Sequence, residues 1–418
     1  MKCFGTTCRI WCFLLIITFV TICFPLRAHA ETSSYAYSDA TANPSGDTTS
    51  SGETITNTLL KEQMKRLDTQ EIEAYWNHLH QEYGGYLPDS FSPSIFDVLL
   101  PDEGEFSIKG IFQGLLLYLF HEVLYNTKLL SSILMLTLFS AILENVQSAF
   151  ERNSVSKVAY AITYLVLMVL AINSFNVAVT YAQNAIENMV HFMIALIPLV
   201  LGIMAAIGNV TSVAMFHPVI VFVVNIIGTF ISVIIFPLIF FSAVLHIVSS
   251  FTDKYKVTHL ANFLRTVSLG LLGVFASIFL GVISIQGAAG SVADGITIRT
   301  AKYVTGNFVP VVGKMFSDAA DTVIGASLLM KNSIGIIGVL ILLLLCAFPA
   351  IKILTLAIIF NFSAAVMQPL GDTPIIKCLG TIGKSFIYIF AAVAVVGLMF
   401  FLAVTIIIAT ANLSVILR

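Results

Sequence analysis

The chain is poor in charge. Of its 418 residues only 11% are Asp, Glu, Lys or Arg, against roughly 25% in soluble globular proteins. Hydrophobic residues make up 58%, and the mean hydropathy is +0.94. One water-soluble core cannot hide so much apolar side chain, so lipid is the solvent for most of the molecule.

Cysteine is scarce where it would matter. Cys3, Cys8, Cys12 and Cys23 crowd the first stretch of the chain, leaving only Cys346 and Cys378 elsewhere. These make neither a disulfide framework nor a thiolate zinc site. Catalytic signatures are missing as well: there is no H-E-x-x-H and no G-x-S-x-G. The run Gly380-Thr-Ile-Gly-Lys-Ser385 lacks the first glycine of a phosphate loop, because Cys378 stands there. His78 and His80 are two residues apart and fall on different faces of a helix. Glu144 and Glu187 sit near span ends, where they do not form the facing carboxylate pair of an intramembrane hydrolase. The expectation is a protein that is not an enzyme and uses no cofactor or metal.

What charge there is lies unevenly. Residues 31–105 hold fourteen acids and three bases (Lys61, Lys65, Arg66), and the remainder from 106 holds nine acids and fifteen bases. Ahead of the acidic stretch, residues 1–30 read as a signal peptide. Lys2 and Arg9 precede the apolar Ile10–Phe24, and Ala28-His29-Ala30 offers a small-x-small cleavage site. An uncleaved anchor helix is the alternative, and both deliver residues 31–106 outside the cytoplasm. Thr32–Thr56 is Ser/Thr/Gly/Ala-rich without apolar period, and reads as disorder. The spacing of Leu60, Met64, Leu67, Tyr75, Trp76 and Leu79 then predicts an amphipathic helix over 58–83, ended by Gly84-Gly85. Residues 107–126 are apolar but broken by Lys109, Gln113, His121 and Glu122. They predict a helix in the membrane interface, or a first span that begins early.

Residues 127–418 form the polytopic region. Apolar runs cover 127–146, 158–179, 189–207, 213–251, 266–286, 333–370 and 383–416. The runs 213–251 and 333–370 exceed the ~20 residues of one crossing. Hairpin turns near Phe236-Pro237 and Phe348-Pro349 therefore suggest nine spans, within a range of 8–10, and an all-α polytopic fold. Lys352 would reach the interface from the second turn, and Asn225 and Asn361 would bond between helices. Basic residues at Arg152, Lys157, Lys254, Lys256, Arg265, Lys377 and Lys384 place three junctions in the cytoplasm, and the Lys/Arg-free 180–188 reads as an outside loop. Gly270/Gly273, Gly335/Gly338 and Ser277/Gly281 permit close helix packing.

Pro198 and Pro310 are separated by the same interval as Pro237 and Pro349, and both latter prolines follow Phe. Two parallel repeats, 189–290 and 301–402, fit this spacing, as recur in transporters. An ordinary bundle without repeats is the alternative. The stretch 287–332 is too polar to span and too apolar for a plain loop, holding Asp294, Arg299, Lys302, Lys314, Asp318, Asp321 and Lys331. Pro310 and Gly313 suggest a bend into a helix whose Lys314, Asp318 and Asp321 share a face at i, i+4 and i+7. These five residues are the candidate pathway or partner-docking site. The segment is either a re-entrant hairpin or an amphipathic external loop, since irregular backbone at membrane depth needs protein or water around it.

The signal peptide, acidic exported head, polytopic remainder and above all Phe308-Val-Pro-Val-Val-Gly-Lys-Met-Phe-Ser-Asp-Ala-Ala-Asp-Thr-Val-Ile-Gly-Ala-Ser-Leu-Leu-Met-Lys-Asn332 resemble the stage III sporulation protein AE family of endospore-forming bacteria. The likeness covers 107–412, more loosely the head. It implies a multi-pass protein of the mother-cell membrane around the engulfed forespore. It further implies membership of the AA-to-AH assembly, which includes a separate ATPase, meets forespore protein Q across the intermembrane space and is similar to specialised secretion machines. Such an assembly supports forespore development as a channel complex. No nucleic acid is implied as partner, and no catalytic residues carry over. The residues themselves leave a self-sufficient secondary transporter as the alternative.

Overall fold

The computed structural model describes residues 69–88, 91, 108–149, 154–251, 257–308, 312–371 and 373–416. The signal peptide, the acidic stretch before 69 and Pro310 lie outside the described residues. Nearly every described residue is helical. In chain order the helices are α1 (Gln70–Tyr83), α2 (Ile108–Tyr125), α3 (Thr127–Ala149), α4 (Ser154–Ala206), α5 (Val210–Phe230), α6 (Phe236–Phe251), α7 (Thr258–Phe308), α8 (Val312–Met367) and α9 (Pro374–Ile416).

Among the described residues, five stretches are long and apolar enough to cross a membrane: Val158–Ala206, Val210–Ser250, Thr258–Thr300, Ile324–Met367 and Pro374–Asn412. A sixth is possible if α2 and α3, bent by 50° about Asn126, make one more span. The all-α polytopic class is as the sequence predicts, but the nine spans are not. Both expected hairpins are absent. Pro237 lies just after a π-turn, Ile231–Ile235, that joins α5 to α6 without a break. A wide turn relieves the clash between a proline ring and the carbonyl four residues earlier, so the helix runs on. Pro349 likewise sits inside α8, where neighbouring helices can take up the freed backbone group. Nor is 180–188 a loop. It carries no Gly or Pro, and Ala182, Ala185, Ile186, Met189 and Val190 are buried at helical spacing. Its polarity is one face of α4, not a break in it.

The long helices pack side by side, α8 most extensively on α9 and α4, and α9 also on α7. Aromatic contacts fix the heights at which they meet. Phe386 of α9 lies 5.8 Å from Phe175 of α4 and 5.1 Å from Phe360 of α8. Higher up, Cys346 of α8 and Met189 of α4 both press on Gly397 of α9. Phe279 of α7 meets Phe400 at 6.2 Å. The start of α4, the end of α6 and the start of α9 gather at one end, where the Tyr164 hydroxyl donates to the Ile247 carbonyl at 2.9 Å and neighbours Cys378. From Pro374 to Asn412, α9 rises about 58 Å at 1.5 Å per residue, roughly twice the hydrocarbon thickness.

The glycine pairs divide. Gly335 and Gly338 admit Ile408 and Leu196, whereas Gly270, Gly273 and Gly281 meet nothing. Asn225 and Asn361 do not bond between helices: their amides donate to Val221 and Ala357 of their own helices.

Candidate functional site

The polar stretch 287–332 is the end of one helix and the start of another. α7 continues to Phe308, and α8 begins at Val312. Gly313, Lys314, Asp318 and Asp321 therefore ride on the first three turns of α8, with Lys314, Asp318 and Asp321 in register on one face.

Two charged side chains of the stretch are buried deep, one ending on a helix terminus and the other on the flank of a neighbouring helix. Asp294 of α7 is 1% exposed. Its two carboxylate oxygens accept from the backbone N–H of Thr211 at 2.8 Å and of Ser212 at 2.9 Å. These are orphan donors of the first turn of α5, so Asp294 caps that helix from another element and meets its positive dipole end. Gly290, one turn earlier, lets Ser212 approach. Lys331 of α8 is 0% exposed. Its ammonium donates to the Ile408 carbonyl at 2.8 Å and to Asn412 Oδ1 at 2.7 Å, about two turns before α9 ends at Ile416. Sequence reading named both residues without partners, because those lie 77 to 83 residues away. The one available signal was an ionisable group among apolar residues.

The second constellation joins the N-terminal part of the chain to the bundle. α1 buries Ile72, Trp76, Leu79 and Tyr83 on one face. Tyr83 stacks flat on Phe348 of α8 at 3.8 Å. Tyr118 of α2 meets both rings edge-on, at 5.6 and 5.1 Å, and Tyr75 meets Phe192 of α4 at 5.4 Å. Lys352, one turn beyond Phe348, reaches Glu82 Oε1 at 3.4 Å and lies over the rings of Tyr83 and Tyr181. It sits mid-helix rather than in a turn. The Tyr83 hydroxyl donates to Glu82 at 2.6 Å. Burial, then the Glu82 carboxylate, push its ionisation well above the ordinary tyrosine value.

No group of three His, Cys, Asp or Glu is placed to hold a metal among the described residues. Cys346 and Cys378 are free thiols. A crevice between α4 and α9 is lined by Leu196, Ile197, Val200, Leu201, Val404 and Ile407, all aliphatic. What the arrangement offers chemically is attachment: helices tied by buried charges, and an aromatic seat for α1.

Residues 91–411 match the family described as stage III sporulation protein AE. The chain is similar to stage III sporulation protein AE of Bacillus subtilis (strain 168), with 54% identity over 352 residues, covering 84% of this chain and 88% of that protein. No solved structure matches. With three quarters of its length inside the family's bounds, and the buried Asp294 and Lys331 both within them, the chain belongs to the stage III sporulation protein AE family.

Proposed function

We propose that this protein is a non-enzymatic membrane subunit of a sporulation channel, a secretion-like complex that links mother cell and forespore. Family membership gives the sporulation role. The observation that carries the finer reading is the seat of α1. Residues ahead of the bundle, on the side of the chain that the signal peptide exports, are fastened to its middle by the Tyr83–Phe348 stack and the Lys352–Glu82 pair. A subunit that bridges a membrane and the space beyond needs such a rigid joint, whereas a solute carrier does not. The membrane is that of the mother cell around the forespore, with residues 31–106 outside the cytoplasm. The partners are the other AA-to-AH proteins, a separate ATPase among them, and indirectly forespore protein Q. Gly313, Lys314, Asp318 and Asp321, with Pro310 before them, offer a docking face at the start of α8.

Co-purification from sporulating cells tests this. The chain should bring down other stage III membrane proteins, and its deletion should remove heat-resistant spores. Gradient-driven uptake of a small solute into liposomes by the purified chain alone would instead establish a self-sufficient secondary transporter.

A further inference from the structure

α4 carries a polar face that lipid cannot cover. Asn176, Thr180, Asn184, Glu187, Asn188 and His191 recur every three or four residues, and all are exposed. They run about 22 Å along one side of the helix. Glu187 and His191 are 68% and 58% exposed and approach each other at 3.7 Å. The opposite side of the same turns, Ala185, Ile186, Met189 and Val190, is buried in the bundle.

Height decides what lies against this stripe. Met189 packs on Gly397 together with Cys346, and Phe279 meets Phe400 one turn away. The four long helices α4, α7, α8 and α9 therefore share one layer. In it α4 shows Asn188 and His191 to the outside, while α7 shows Val274 and Ile278, each 58% exposed, and α8 shows Leu343. Were the layer in bulk water, the α7 side would leave large aliphatic groups wet over several turns. Were it wholly in lipid, a carboxylate, an imidazole and three amides would lack partners, at a cost of several kcal/mol. Both sides are satisfied only if lipid covers α7 and water reaches α4 at the same depth.

We propose that the Asn176–His191 face of α4 lines a water-filled passage, and that the opposite wall is the same face of a second copy of this chain. One protomer leaves the stripe open, so it encloses nothing alone. The face suits its own copy: across a two-fold axis along the membrane normal each residue stands level with its counterpart, the Asn176, Asn184 and Asn188 amides both donate and accept, and water between the walls solvates Glu187 and His191. Substrates of such a passage are hydrated polar solutes. α1 borders it, since Tyr75 holds Phe192 and Lys352 holds Tyr181 on the adjoining face of α4. The meaning of the passage rests on the channel reading above, but its existence does not.

Single cysteines in the full-length protein in membrane vesicles test it, with a membrane-impermeant maleimide added in turn to either face. The unsubstituted chain gives the background. Asn188→Cys and His191→Cys should react at least about tenfold faster than Ile278→Cys, because only a hydrated thiol ionises to the reactive thiolate. Thr180→Cys, a near-isosteric change, repeats the measurement should either of the first two fail to accumulate. Equal reaction at all positions would put the whole layer in bulk water and overturn the proposal, and so would protection of the stripe. A bis-maleimide should link Asn184→Cys into dimers; labelling without dimers would overturn the second-copy wall. Labelling needs no spores and no partners. A labelled stripe in a protein that co-purifies with nothing would sink the assembly reading and leave the passage standing.

Discussion

Asp294 offers the sharpest test of how the polar stretch is held. Its carboxylate accepts two backbone N–H bonds, at 2.8 and 2.9 Å, from the first turn of α5. Replacement by Ala removes both acceptors and leaves two donors unpaired in a buried site. Loss of an N-cap side chain costs about 0.5–2 kcal/mol, and a bond to a charged group is worth about 1.5–3. Allowing for the desolvation that the buried charge no longer suffers, Asp294→Ala should lose about 3 kcal/mol. Asp294→Asn keeps one carbonyl oxygen and remains a competent cap, so about 1–2 kcal/mol is expected. Denaturant titration of the full-length protein in mild detergent, followed by circular dichroism, reads both values. Spore counts read the consequence, and should fall in the order wild type, Asn, Ala. An Asn variant as stable as wild type yet without spores would refute the reasoning, since the carboxylate would then act chemically. So would an Ala variant within about 0.5 kcal/mol of wild type.

Lys331 should behave differently, because a long apolar side chain can fill its place. Lys331→Met is expected to stay within about 1 kcal/mol of wild type, and Lys331→Ala to lose about 2–4 through the cavity it leaves. Loss of spores in a stable Met variant would make the ammonium functional. Tyr83→Ala should free α1 without unfolding the bundle, seen as faster amide exchange over residues 70–83 alone; unchanged exchange there would disprove the seat. The seat should also be alkali-sensitive. Burial raises the Tyr83 ionisation above its unfolded value, so its stability is complete below about pH 10 and is lost as pH climbs beyond. Limited proteolysis of α1 should rise only above that pH, and Tyr83→Phe should abolish the rise. Release of α1 below pH 9 would contradict the sign.

The class of the fold was legible because it rests on composition, and the end of α1 at Gly84-Gly85 because two glycines stop a helix locally. Continuity was not legible. Proline and polar residues look alike in a sequence whether they break a helix or ride on one. Pro237 is tolerated because of a π-turn that leaves no mark on Ile231–Ile235. The 180–188 stretch misled for a related reason: average polarity said loop, whereas the three-to-four-residue spacing of Ala182, Ala185, Ile186 and Met189 said helix. At the polar stretch, sequence showed that charges stand among apolar residues, but not which of them are buried or where they end. A carboxylate capping a helix some 82 residues away has no local signature.

That the two buried charges do not serve each other has a mechanical consequence. An ion pair between Asp294 and Lys331 would tie α7 to α8 and nothing else. Spent separately instead, the same charges tie α7 to the first turn of α5 and α8 to the flank of α9. Asp294 meets the positive dipole end of α5 and Lys331 has two neutral oxygens as acceptors, so neither needs a counter-ion from the other. The two ties share no hydrogen-bond partner. Their loss should therefore be additive: the double variant Asp294→Asn, Lys331→Met should lose the sum of the single losses within about 0.5 kcal/mol. Coupling beyond about 1 kcal/mol would mean that the charges feel one another, as an ion or proton site requires and two separate ties do not.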